Sequence, residues 1–235
     1  MLCPHDESEF TLVESRMPDN TPPVSERTTV RRLAKRGAYD RDTIHTIVDE
    51  ALVCHVGFVD EGQPFVIPTT HARVGDLIYL HGSRQNRMLQ CLSAGVPACV
   101  TVTLLDALVL ARSAFHHSMN YRSVVILGRG REVTERDEKW NALEALVEHV
   151  VPGRWAEARQ PSENELAATT VVAIPLDESS AKIRSGPPKD DDADYSMSIW
   201  AGLLPLPMVP GVPVPDPQLG PDIALPSYVA SYRRK

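Results

Sequence analysis

The 235-residue sequence has no surplus of basic residues: 24 Lys and Arg stand against 31 Asp and Glu, a formal charge of −7. Neutralising duplex phosphates needs the opposite balance, so no nucleic-acid partner is expected. Long apolar runs are missing too. The longest mostly apolar stretch, Val96 to Phe115, is interrupted by Asp106 and Arg112 and is rich in Val and Thr, which suits strands and not a membrane span. Met1 to Glu7 show no basic region followed by an apolar one, so no secretory signal is expected and the cytoplasm is the default location. Cys3, Cys54, Cys91 and Cys99 include no Cys-x-x-Cys pair. Scattered thiols in a reducing compartment serve as small buried hydrophobes, so neither disulfides nor a metal site is expected. Also absent are a P-loop, a Gly-x-Gly-x-x-Gly turn after a strand, a Gly-x-Ser-x-Gly elbow and a His-Glu-x-x-His helix, which removes support for NTPases, Rossmann dehydrogenases, serine hydrolases and zincins.

What is present divides into three parts. Residues 1–26 are polar, contain Pro18, Pro22 and Pro23, and read as an arm. Residues 186–235 hold ten of the 20 prolines, a density that forbids helix and central strand alike. The apolar members of this tail, Trp200, Leu203, Leu204 and Leu206 among them, predict an extended segment that packs on the main domain or on a partner. Between them, residues 27–185 read as one domain. Ile44, Ile47, Val48, Ala51 and Leu52 form a single helical stripe behind Asp40 or Asp42. Val53 to Val59 and Phe65 to Val74 predict a hairpin turning at Gly62, followed by a strand over Leu77 to His81. Ser83 is placed to cap a short helix that Gly95 ends. Further strands are predicted over Cys99 to Leu104, Leu108 to Phe115, Arg122 to Val133, Val171 to Leu176 and Ala181 to Arg184, with a helix capped by Thr134 before the last two. Hairpin spacing outweighs strand–helix–strand alternation, so the expected fold is an α+β antiparallel barrel of six or seven strands.

Two segments carry potential chemistry. Tyr79-Leu80-His81-Gly82-Ser83-Arg84-Gln85-Asn86-Arg87 runs from a strand into a helix start, where free N–H groups favour an anion. Arg84 and Arg87 stand where the helix dipole prefers acids, a conflict that a bound phosphate resolves and that a solvated basic turn also accommodates. The second is His116-His117-Ser118-Met119-Asn120-Tyr121-Arg122-Ser123-Val124, dense in donors and acceptors. Adjacent histidines on a strand point to opposite faces, so both on one ion is geometrically awkward.

Pro64 and Pro68, Tyr79 to Ser83, Asn86-Arg87, Pro97 to Val100 and Asn120 to Val124, in this order, resemble the pyridoxamine 5′-phosphate oxidase-like flavoproteins, and most of all their flavin-nucleotide-binding branch that includes 5-nitroimidazole reductases. The resemblance covers about residues 27–185. It implies an FMN-binding split β-barrel, a homodimer with flavin at the subunit interface. It places Arg87 on the flavin phosphate, with Asn86 before it and Ser83 and Arg84 in the same turn. Ile67, Pro68, Thr69 and Thr70 match the strand whose backbone edges the flavin ring, Tyr79 and Leu80 the strand before the phosphate turn, and Ser123, beside Arg122, a polar residue reaching the cofactor. Lys182 and Arg184 match a basic position that closes the barrel, and His81 a histidine near the flavin in nitroimidazole-reductase relatives. Trp200 is added on its chemistry as a residue able to cover the ring. The oxidase's consecutive Arg-Lys at the phosphate turn is Arg87-Met88 here, and its vitamin-binding residues have no counterpart.

The function expected on this basis is an FMN-dependent oxidoreductase, FAD being the alternative flavin, that reduces a nitro compound or quinone with NAD(P)H. His81, His116 and His117 are the candidate proton donors. Two other functions fit the same residues: a flavin-binding protein without turnover, and a haem protein on the same barrel with one His as axial ligand.

Overall fold

A computed structural model describes residues 21–233, so most of the expected arm, Cys3 included, lies outside the described residues. The strands are β1 (Gly37–Ala38), β2 (Val53–Asp60), β3 (Gln63–Thr70), β4 (Ala72–Val74), β5 (Leu77–Ser83), β6 (Pro97–Leu110), β7 (Ser118–Arg129), β8 (Arg131–Glu132), β9 (Thr169–Pro175), β10 (Ser179–Arg184) and β11 (Gly202–Pro205). The helices are α1 (Arg41–Glu50), α2 (Arg87–Ser93), α3 (Arg136–Val150), α4 (Arg154–Glu157), α5 (Glu163–Ala168) and α6 (Ser227–Ala230). One sheet runs β1-β10-β7-β6-β2-β3 with β11 added beside β6, and the other runs β4-β5-β9-β8. Every ladder is antiparallel and none closes one sheet onto the other, which makes the fold an α+β split β-barrel.

The core lies between the two sheets and under α1 and α2, with Ile47, Ile78, Leu80, Leu89, Leu92 and Ile126 fully buried. Each such side chain contributes about 1.5–3 kcal/mol by leaving water. In α1 the Asp40 carboxylate accepts from Thr43 N–H at 2.8 Å and caps the helix, while Ile44, Ile47 and Val48 bury the expected stripe. Two histidines that periodicity does not single out serve the other end of α1. The His71 Nε2–H donates to Val48 O (2.9 Å) and the His149 Nε2–H to Ala51 O (2.8 Å), with the two rings 5.0 Å apart. They satisfy carbonyls that the end of a helix leaves open.

Several expected boundaries move. Phe65 to Val74 is two strands, because buried His71 breaks the ribbon and sends β3 into one sheet and β4 into the other. Cys99–Leu104 and Leu108–Phe115 merge into the single strand β6, with a register shift between Leu105 and Ala107 that absorbs Asp106. The strand expected over Arg122 to Val133 starts earlier, at Ser118, and divides at Gly130, where a Cβ would lie 2.6 Å from Val172 Cγ1 and 3.0 Å from Leu92 O. Only glycine fits this crossing between the sheets. The N-cap of α2 is Asn86 and not Ser83, because Ser83 stays paired with Thr169 at the end of β5. The N-cap of α3 is Glu135 and not Thr134.

The tail starts under a clamp. Asp190, its side chain fully buried, accepts from Arg112 N (2.9 Å) and Ser113 N (3.1 Å) and pairs with the Arg112 guanidinium (3.2 Å). β11 then pairs with Ala107 to Leu110 of β6, on the edge that β2 covers farther along at Ala98 to Thr101. The backbone docks more completely than the side chains do: Leu203 is half-buried, whereas Trp200 and Leu204 remain exposed. Beyond β11 the tail, expected to hold no helix, forms the one-turn helix α6 directly after its last proline, Pro226, which serves as the N-cap; Tyr232 Oη donates to Val150 O (2.9 Å) and Tyr228 Oη to Glu157 (2.6 Å), fastening this segment on α3 and α4. Among the described residues no helix is long and apolar enough to cross a membrane.

Candidate functional site

Side chains alternate along β5, and the alternation decides what each does. Ile78 and Leu80 enter the barrel core, while Leu77 and Tyr79 belong to a smaller cluster under α3 with Val171 and Ala173. Tyr79 Oη donates to Glu138 Oε1 at 2.9 Å, and burial with that bond pushes its pKa up to about 12. His81 continues the same face one step farther. There it lines a cavity of about 590 Å3 that lies between β5 and the C-terminal half of α3. Cofactor sites range over roughly 300–1,000 Å3.

Its walls are mainly Leu143, Leu146, Val147 and Val150 of α3, with Trp155 from α4 and Pro161 from the following loop. Thr70 and Thr169 lie at the strand ends, and Arg154, Arg159 and Glu165 also line the cavity. His81 Nδ1 is buried without a hydrogen-bond partner, an uncommon condition for a buried ring nitrogen. Burial holds the imidazole below its ordinary range, so it is neutral at pH 7 and keeps a lone pair. The helices α4 and α5 that close this cavity escaped the periodicity argument. One signal was present: Ser162-x-x-Glu165 is a capping box, and the folded chain forms it, Glu165 N donating to Ser162 Oγ (3.3 Å) and Ser162 N to Glu165 Oε2 (2.8 Å).

The β5–α2 turn gathers the expected phosphate residues. The Asn86 side chain caps α2 by accepting from Leu89 N (3.3 Å), and Ser83 Oγ accepts from Gln85 N (3.2 Å). Arg84 is tied to Ala168 O and Ala167 O (3.2 and 3.3 Å). The Arg87 guanidinium stacks 3.9 Å over the Phe65 ring with Asp60 at 3.8 Å, and its side chain is 55% exposed. An exposed cation held over an aromatic ring is positioned yet still able to receive an anion.

Sheet register divides the remaining expected residues. Pro68 pairs with His55, His55 with Thr101, Thr103 with Ser123 and Ser123 with Lys182, so Pro68, Thr70, Ser123 and Lys182 share the outer face of the larger sheet. Ile67 turns inward and packs against the core, and Thr69 shares its face. Arg122 is occupied: it chelates Glu50 (2.8 Å) and Asp106 (2.8 Å) beneath the sheet. Arg184 is buried against Asn120 and donates to Gly186 O (3.0 Å) and Pro187 O (3.4 Å). Trp200 lies over Gly202, mostly exposed. His116 and His117 sit between β6 and β7, on the other sheet from His81. His116 faces Asp191 (3.3 Å), and His117 Nδ1 meets Ser113 O (3.0 Å). The three expected proton donors therefore divide between two places.

The sequence profile of the pyridoxamine 5′-phosphate oxidase family matches residues 40–183, well over half of the chain. The chain belongs to this family. Within it, the flavocytochrome Anf3 from Azotobacter vinelandii is 38% identical and superimposes with a TM-score of 0.86 over 92% of this chain and 100% of its own. The FAD- and haem-binding protein from Mycobacterium smegmatis is 36% identical, with a TM-score of 0.80 over 83% of this chain and 96% of its own. A proposed 5-nitroimidazole antibiotic resistance protein from Bacteroides thetaiotaomicron is 25% identical, with a TM-score of 0.53 over 63% and 86%. Among curated proteins, none matches significantly.

Proposed function

We propose that the protein is a flavin-dependent oxidoreductase of the flavocytochrome type: a homodimer that binds a flavin nucleotide and a haem and passes electrons from NAD(P)H to a small electron-poor acceptor. The observation that carries this proposal is similarity to the Azotobacter flavocytochrome over 92% of the chain, which extends well beyond the domain shared with the wider family. The Mycobacterium relative, described as binding FAD and haem, favours FAD over the FMN expected from the sequence. Flavin supplies the interchange between hydride and single electrons, and haem supplies one-electron chemistry; the chain's part is to bind, orient and shield both groups.

For the flavin, Arg87 is the phosphate partner, with Asn86 ordering the turn behind it. An Arg–phosphate bond contributes about 1.5–3 kcal/mol, so Arg87→Ala is expected to weaken flavin binding by roughly 10- to 150-fold, read as the quenching of flavin fluorescence on titration. Unchanged affinity would move the phosphate elsewhere. For the dimer, the outer face of the larger sheet exposes Val53, Val59, Val66 and Leu105 around Ser123 and Lys182. An apolar sheet face of this kind supports the reading of a subunit interface here. Val66→Glu is expected to convert dimer to monomer in light scattering and to release flavin with it; a variant that remains dimeric would place the interface on another face.

The proposal as a whole is tested by anaerobic addition of NADPH. Flavin bands that bleach, followed by reduction of the haem, support it. Flavin that stays oxidised with NADPH and NADH would remove the nicotinamide donor. A second function, haem-free reduction of nitro compounds, is favoured by the Bacteroides relative alone. Flavin without haem, turning over a nitroimidazole, would establish it.

A further inference from the structure

The cavity beside His81 is walled mainly by aliphatic side chains and holds a buried ring nitrogen with no partner. These features discriminate among occupants. A bare zinc or calcium ion needs at least about four ligands, and among the described residues His81 is the only histidine or cysteine lining the cavity. An isoalloxazine ring needs polar partners along its edge, which Leu143, Leu146, Val147 and Val150 do not offer. A haem combines an apolar macrocycle, an axial position suited to imidazole and propionate carboxylates at one edge. The cavity supplies a counterpart to each: aliphatic walls, the His81 ring, and the guanidinium groups of Arg154 and Arg159.

The other described histidines are engaged or lie outside. His71 and His149 donate to backbone carbonyls, His45 faces Asp76 (3.1 Å), His116 faces Asp191, His117 meets a carbonyl, and His55 is exposed on β2. Arg159 chelates Glu165 at 2.6 and 2.9 Å, but both side chains are at least half exposed, and such pairs exchange readily for a competing carboxylate. Arg154 donates to Tyr228 Oη (3.1 Å), which ties the tail to the same rim.

The geometry points to this cavity as the haem pocket, with His81 as axial ligand and Arg154 and Arg159 as the propionate partners. The assignment rests on the flavocytochrome proposal, and the experiment separates the two. Haem per flavin is measured in the full-length protein by the pyridine haemochrome method, and the Soret band is recorded before and after reduction. His81→Gly is expected to lower haem occupancy about tenfold or more, or to shift the Soret band, while flavin content and Tm are retained; added imidazole should restore the spectrum. Leu146→Trp keeps His81 but fills the cavity, and should exclude haem as well. Wild-type protein with haem, and both variants with unchanged Soret band and stoichiometry, would overturn the pocket assignment while leaving the flavocytochrome proposal intact. Wild-type protein that holds no haem even after incubation with haemin would overturn both.

Discussion

Arg122→Met should lower the melting temperature by about 10 °C or more and is expected to be among the most destabilising single changes in the chain. Arg122 projects beneath the larger sheet, where its side chain is 19% exposed and pairs with Glu50 from α1 and Asp106 from the β6 irregularity. Those bonds hold its pKa above the ordinary arginine value. Removing the cation leaves two half-buried carboxylates facing each other without the guanidinium that bridges them, a change that costs roughly 3–5 kcal/mol. In a chain of this length about 1 kcal/mol moves Tm by ~2–4 °C. The triple variant Arg122→Met, Glu50→Gln, Asp106→Asn should recover most of the loss, because it removes the facing carboxylate charges along with the cation. Calorimetry of the single and triple variants decides the matter: equal melting temperatures for wild type and Arg122→Met would show that the triad is solvated and of little consequence.

Truncation after Arg184 should have an effect of similar size and a second consequence. The cut removes the β11 ladder on Ala107 to Leu110, the Asp190 clamp on Arg112 and Ser113, and the Gly186 and Pro187 carbonyls that serve buried Arg184. A ladder of about four hydrogen bonds at ~1 kcal/mol each corresponds to a fall near 10 °C. The exposed edge of β6 would also become available to other chains, so the shortened protein is expected to aggregate on concentration. Equal Tm and equal oligomeric state in the two forms would show that the tail is laid on the barrel without stabilising it.

Local patterns in the sequence were enough for α1 and the β2–β3 hairpin. Asp40 caps one end of the α1 stripe, and the turn after β2 uses positive φ at Glu61 and Gly62 (48° and 80°), as a tight hairpin requires. The remaining errors arise where distant residues decide. Asp106 reads as the end of a strand until Arg122 draws its carboxylate under the sheet, after which β6 runs on past it. Ser83 and Asn86 are chemically equal as caps; the ladder from Ser83 to Thr169 selects Asn86. The turn at Asn86 and Arg87 could be identified because resemblance and helix electrostatics agree on one short segment. The cavity at His81 could not, because its walls come from α3, α4 and α5, more than fifty residues farther along the chain. His81 itself was named from the sequence, but its unpaired nitrogen emerges only from burial.

Whether this family member carries flavin and haem together is read from the absorption spectrum of the purified protein, with both groups quantified per chain. Flavin bands and a Soret band in the same protein, each close to stoichiometric, are the predicted result. A protein that shows flavin alone, and still gains no Soret band after incubation with haemin, would contradict it.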